Sequence, residues 1–450
     1  MTYLYISIIL CGIFAVVGYF VEKKMWINPI TIFSVLWGVI LLFSSMEEYT
    51  LHVADDEINL AILLGIISFI VGYFFNKAFF SKMKFSLVKH EHPTGKNVAY
   101  KSIPRYQLLY VLGAICLVYA IYSFINTVRQ SGTLNLGTIQ AMLQGGEIVS
   151  NNNAIVSAIA LLVITPIRFV LPAITAVDFW FGKRDRKLLV ITVCLILINA
   201  LTSANRTTFL LFFIWLIIVA QIYLYHNKKK KNKNYTLIRT KHFLSKIKKR
   251  IRVIAIIAII AFFILTLSRG VSLIYRQLYL YFAIPPRMFE IWAEKVEVSN
   301  IYGYGVASLL GFIYPICYVM RSIIGIDMPQ LVQSIYDWTM LTDSTWVWPG
   351  TNITANAYVS VFWFLYLDYR VAGIIIGMFI LGFISSRAFM NATKRTYSEK
   401  QICVYCCIFY IVLFSFVRMQ FTQMRIALGL LFILFFAYKK VPINKKRSSL

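Results

Sequence analysis

Eleven apolar stretches punctuate the chain, at roughly residues 2–21, 27–46, 58–75, 106–128, 154–181, 188–203, 207–226, 253–268, 371–390, 402–417 and 426–438. Each approaches the ~20 residues that a helix needs to cross the hydrocarbon core of a bilayer. A soluble domain could not bury so many runs internally, and 59% hydrophobic with only 14% charged residues leaves little polar surface to face water. The expected fold class is an all-α polytopic membrane protein with about 11 transmembrane helices, within a range of about 10–13. The first stretch has no basic segment before it and no small-residue cleavage site after it, so it is expected to remain as a span.

The connectors carry charge unevenly, and that unevenness sets an orientation. Segments 22–25, 76–105, 182–187, 227–252, 391–400 and 439–450 hold 33 Lys and Arg, whereas the alternate connectors hold 10. The first set is expected in the cytoplasm, which leaves the N-terminus outside and the C-terminus inside. The net charge of +27 then reflects topology and contact with anionic membrane lipids, with the run KKKKNKN at 228–234 as the plainest anchor. No nucleic-acid motif accompanies it. Of the cysteines, Cys11, Cys116, Cys194, Cys403, Cys406 and Cys407 lie in apolar runs and only Cys317 on an outer segment, so no external disulfide framework is expected. Cys403, Cys406 and Cys407 have no histidine or fourth thiol near them, and neither a metal nor a cofactor is expected.

The longest outer connector divides the chain in three. Residues 1–267 are expected as an N-terminal transmembrane bundle of about eight helices with basic cytoplasmic loops. Residues 268–370 form the external region with candidate active-site residues, and 371–450 the C-terminal transmembrane helices and basic cytoplasmic tail. A connector of that length is functional rather than merely connective. It contains two further apolar stretches, 305–325 and 353–367. If both crossed the membrane, 326–352 would be cytoplasmic with Asp327, Asp337 and Asp343 but neither Lys nor Arg, against the charge rule. Interfacial or re-entrant helices are expected instead, and Pro315 with the YGYG at 302–305 suits a broken, cavity-lining element.

Of the 10 outer basic residues nine are Arg and the other is Lys295, against 25 Lys and 8 Arg in the cytoplasmic set. A guanidinium is always charged, forks toward two oxygens and tolerates desolvation better than an ammonium. That partition points to an anionic ligand at the outer face, with pyrophosphate the simplest. Arg269 and Arg276 lie two helical turns apart, on one side of a helix continuing from the preceding span. Arg287 follows Pro285 and Pro286, which are expected to end that helix and turn the third arginine back. Arg206, in TSANRTT, has Thr202, Ser203, Asn205, Thr207 and Thr208 around it for sugar-type hydrogen bonds. Arg168, in TPIRFVLP, sits inside a span, where an unpaired charge is expensive. The competing readings are snorkelling to outer headgroups for the first three and a pair with Asp178 for Arg168. Arg418 and Arg425, on a short outer hairpin, are open to either.

Asp368, Glu290 and Asp343 are the candidate catalytic carboxylates, able to deprotonate a hydroxyl, with Glu294 and Asp337 as further outer acids. Asp368 ends the aromatic stretch AYVSVFWFLYLDY; its competing reading is an interface charge paired with Arg370. Trp338, Trp346 and Trp348 fall in the polar stretch DWTMLTDSTWVWPGTN, where rings stacking on sugar faces compete with an interfacial belt.

This layout resembles the Wzy-type family, the oligosaccharide repeat-unit polymerases of O-antigen, capsule and exopolysaccharide synthesis. The resemblance rests on the number of spans, the large outer loop in the C-terminal half and the arginine turn SANRTTFLLF ahead of a polybasic segment. It also rests on NAYVSVFWFLYLDYRVAGIIIGMFILG, which is similar to the family's Asn-aromatic-Asp-x-x-x-Gly stretch, with Arg370 standing where the family has Gly. The resemblance implies a glycosyltransferase of the bacterial cytoplasmic membrane whose donor and acceptor are both undecaprenyl-pyrophosphate-linked glycans. It further implies Asn356 as a glycan-binding residue and a chain-length regulator as a partner. A lipid-linked glycan flippase or other transporter, and a ligase moving finished polymer to another acceptor, remain as rivals.

Overall fold

The computed structural model describes residues 1–87, 100–133, 138–139, 142, 154–203, 207–231, 253, 274–394 and 397–442. Helices dominate, with two short two-stranded sheets, consistent with an all-α multi-pass membrane protein. Among the described residues, six helices are long and apolar enough to cross a membrane: Thr2–Val21, Asp56–Phe79, Tyr106–Ser131, Val156–Phe181, Phe209–Asn227 and Ser360–Thr393. The stretches at 27–46, 402–417 and 426–438 also fold as helices, but shorter ones: Pro29–Ser44, Glu399–Leu413 and Met424–Phe435. Apart from Val253, the stretch 253–268 lies outside the described residues.

Packing groups the chain into two compact units interleaved in sequence, one of residues 1–94, 272–390 and 408–427, the other of 95–271, 391–407 and 428–450. In the first, helix Asp56–Leu87 crosses helix Ser360–Thr393 at paired glycines. A Cβ on Gly72 would meet the Phe379 carbonyl oxygen at 2.0 Å, and one on Gly382 would meet that of Phe69 at 2.0 Å. Each backbone therefore rests on the other's glycine, the close approach that small residues permit between membrane helices. One turn further, Asn76 Nδ2 donates to Ser386 Oγ at 2.8 Å. Helix Pro29–Ser44 begins at Asn28, whose Oδ1 accepts the Thr31 N–H at 2.9 Å, with Pro29 in the first turn, where its missing N–H costs nothing.

The two outer apolar stretches fold differently from each other. Residues 305–325 are helical, Val306–Val319 continued by a π turn Met320–Ile324, with Leu309, Ile316, Met320 and Ile324 exposed. Residues 353–367, expected as one interfacial or re-entrant helix, are two elements. Ile353–Ala355 is a strand paired antiparallel with Val347–Gly350, and helix begins only at Ser360. From Val359 through Asp368 every residue is buried, so this stretch is apolar all round because protein encloses it.

In the second unit, helix Tyr106–Ser131 packs on Arg186–Ser203, with Gly113 leaving room for Ile191. Helix Thr165–Phe181 follows a π turn, Ala160–Ile164, and carries Pro166 in its first turn and Pro172 inside. Strand Tyr100–Pro104 pairs antiparallel with Tyr438–Pro442, bringing together the ends of two segments expected on the same side of the membrane.

Candidate functional site

The helix Ser360–Thr393 breaks at Tyr369 and Arg370, and the two charged residues at that break face different partners. Asp368 is 2% exposed. Its Oδ1 accepts the backbone N–H groups of Gly305 at 2.9 Å and Ala307 at 3.0 Å, and its Oδ2 that of Ser308 at 3.0 Å. The first N–H groups of a helix have no partner within it, and an anion there also meets the positive end of the helix dipole. Asp368 thus caps helix Val306–Val319. The fit needs Gly303, because a Cβ there would come within 2.4 Å of Asp368 Oδ1. The carboxylate expected as general base is engaged by three donors, and it does not pair with Arg370.

Arg370 adopts φ 53°, ψ −142°, a region that glycine populates and other residues rarely do. Its guanidinium lies 4.2 Å from the Tyr302 ring centroid and 5.4 Å from that of Tyr366, and its Nη2 donates to the Val296 carbonyl at 3.2 Å. Tyr366 in turn donates to Glu297. Arg370 Nη1 is buried with no hydrogen-bond partner.

Pro285 and Pro286, expected to end a helix, instead begin one. Helix Pro285–Val298 follows Ile274–Ala283 with Ile284 between them. Arg287, in its first turn, does not reach toward Arg276 through any described contact. It pairs with Glu290 at 2.5 Å, and Glu290, 3% exposed, also accepts the Asp55 N–H at 3.3 Å. Burial pushes the Glu290 carboxyl above its ordinary value, and the neighbouring guanidinium pulls it back. An expected phosphate ligand and an expected base are therefore engaged with each other.

Arg276 is exposed. Its Nη2 lies 3.5 Å from the Asn352 carbonyl and its guanidinium 5.7 Å from the Tyr49 ring. On the same helix Tyr279 accepts the Glu48 N–H at 2.9 Å and donates to the Phe43 carbonyl at 2.9 Å, fixing the helix along the segment after Pro29–Ser44. Asn352 sits in the turn of the hairpin Val347–Ala355, which is laid on the same segment through Thr351 N–H to Thr50 O at 3.2 Å and His52 N–H to Pro349 O at 3.1 Å. Trp346 and Trp348 flank the buried Val347, so strand alternation puts both indoles on one side, 62% and 64% exposed. Trp338 is half-buried on helix Gln330–Ser344.

Asp343 and Asn356 brace the chain. Asp343 forms an ion pair with Arg418, which is 8% exposed, and Asn356 Nδ2 donates to the Asp343 carbonyl at 2.6 Å. The pair joins helix Gln330–Ser344 to a loop that also holds the start of helix Ser360–Thr393, through Val361 N–H to Ser415 O at 2.7 Å. In the other unit Arg168 is half-buried, and Asp178 is not its partner: that carboxylate accepts from Tyr106, from Lys183 N–H at 3.1 Å and from Asp185 N–H at 2.8 Å. Arg206 and Arg269 lie outside the described residues.

In the sequence Arg370 reads only as a rival partner for Asp368, not as a residue held apart from it between two tyrosines. Its signal was an arginine in place of the glycine that the resemblance expects. No family model matches the chain, and no curated protein or solved structure matches it significantly.

Proposed function

We propose that the protein is a membrane glycosyltransferase that polymerises undecaprenyl-pyrophosphate-linked oligosaccharide repeat units on the outer face of the bacterial cytoplasmic membrane. The observation that carries this reading is the meeting of Arg276 with the hairpin that presents Trp346 and Trp348. A fork of donors suited to phosphate oxygens at the turn of a hairpin that carries two exposed indoles suited to sugar rings matches a glycan joined to pyrophosphate. As the glycosidic bond to the carrier breaks, negative charge grows on the leaving pyrophosphate, and a fixed guanidinium lowers the energy of that charge. The acceptor hydroxyl must lose a proton. With Asp368, Glu290 and Asp343 engaged, the exposed Glu294 of helix Pro285–Val298 is the next carboxylate to test as its base.

The test is glycan banding from a deletion strain complemented with wild type, Arg206→Lys, Arg269→Lys and Arg276→Lys at matched protein levels. Single repeats in the deletion strain, and a ladder that the lysine variants fail to restore, support the reading. Repeats trapped on the cytoplasmic side of the deletion strain identify a flippase and overturn it; full ladders lacking only transfer to a final acceptor identify a ligase.

A further inference from the structure

The guanidinium at the helix break is half-buried and has few partners. Among the described residues no carboxylate lies within ion-pair distance of Arg370, its Nη2 has a single carbonyl, and its Nη1 is enclosed without a partner. A buried donor left unmade is unfavourable. Glu297, the acid that Tyr366 reaches, is engaged by that hydroxyl. The backbone adds a second cost, since Arg370 holds a conformation suited to glycine. A chain that only needed a helix break there would be better served by glycine, so the side chain has a purpose that offsets both terms.

The surroundings indicate the ligand. Tyr302 and Tyr366 flank the guanidinium. Tyr304 packs edge-on against Tyr369 at 5.9 Å and lies 6.0 Å from Tyr302, and Tyr304 and Tyr369 are exposed, so the aromatic group opens outward. Rings of this kind offer a face to a sugar and a hydroxyl to its oxygens, while the fork of Arg370 suits phosphate oxygens.

We propose that the break in helix Ser360–Thr393 is a binding site for a sugar phosphate, its phosphate oxygens held by Arg370 between Tyr302 and Tyr366 and its sugar received by Tyr304 and Tyr369. This rests on the reading above that the substrate is a glycan joined to pyrophosphate, and it adds a second phosphate-binding position distinct from the Arg276 hairpin. The phosphate oxygens of an anionic lipid headgroup would satisfy the same guanidinium, so the test separates the two sources.

The full chain is purified into phosphatidylcholine nanodiscs and titrated with inorganic pyrophosphate, reading its melting temperature, for wild type, Arg370→Gly and Arg370→Lys. Glycine suits the backbone at this position, so Arg370→Gly is expected to melt no lower than wild type while its apparent Kd for pyrophosphate rises about tenfold or more, with Arg370→Lys between them. An unchanged Kd in Arg370→Gly, or no binding by wild type, overturns the proposal. If nanodiscs of phosphatidylglycerol abolish pyrophosphate binding by wild type, a headgroup occupies the site and the sugar-phosphate assignment falls. If binding depends on Arg370 but a strain carrying Arg370→Gly still makes a full polymer ladder, the phosphate site stands and its link to polymerisation falls, whereas failure of the polymerase reading itself is read from the deletion strain.

Discussion

Asp368 Oδ2 receives the Ser308 backbone N–H at 3.0 Å across 60 residues of sequence, so the end of one half-helix closes the beginning of another helix. Replacing this buried cap by alanine is expected to lower stability by about 2 kcal/mol, and by asparagine about half as much. Thermal unfolding of the solubilised protein measures both. A variant that keeps its melting temperature yet loses polymer would return Asp368 to catalysis.

The ion pair of Asp343 with Arg418 leaves a buried guanidinium behind if the acid is removed. Asp343→Ala is expected to cost about 3 kcal/mol, more than the double variant Asp343→Ala/Arg418→Leu, because the double variant leaves no orphaned charge. A double-mutant cycle on unfolding free energies decides it; additive costs would mean the pair is uncoupled.

Gly72 and Gly382 support each other's helix through reciprocal backbone contact. Alanine at either is expected to force the helices apart and cost about 1–3 kcal/mol. Because both substitutions strain the same crossing, the second should cost less than the first. Equal and additive losses would argue against one shared contact.

Burial raises the Glu290 carboxyl, so the folded protein holds this proton to higher pH than the unfolded chain does. Its contribution is therefore most favourable at acid pH and declines as pH rises from the ordinary carboxylate range through the raised folded value. Arg287→Met removes the group that restrains the shift and should steepen the decline. Glu290→Gln/Arg287→Met, with nothing left to titrate, should flatten it. Melting temperature against pH for the three proteins is the readout, and a shallower decline in Arg287→Met would contradict the assignment.

Trp346 and Trp348 are exposed, so alanine at both is expected to change stability by less than about 0.5 kcal/mol. The polymer ladder should nevertheless shorten or vanish at matched protein levels. A full ladder would assign the two indoles to the membrane interface instead.

Much of the architecture was legible in the sequence because it depends on local regularity. Apolar runs such as 2–21 and 106–128 are helices whatever their neighbours do, since a long apolar segment satisfies its backbone internally.

The partners of charged residues were not legible, because they are chosen by backbone groups and side chains far away in sequence. Asp368 reads as an acid beside Arg370, yet it is drawn to three N–H groups of a helix whose approach depends on Gly303. Glu290 and Arg287 read as separate functional candidates, and packing turned them into one pair. The sequence by itself determined the helices, the apolar surface they present and the supply of arginine on one set of connectors. Only the tertiary structure decided which arginines were neutralised and which kept open donors, since that depends on where enclosure removes water and which acids are close enough to replace it.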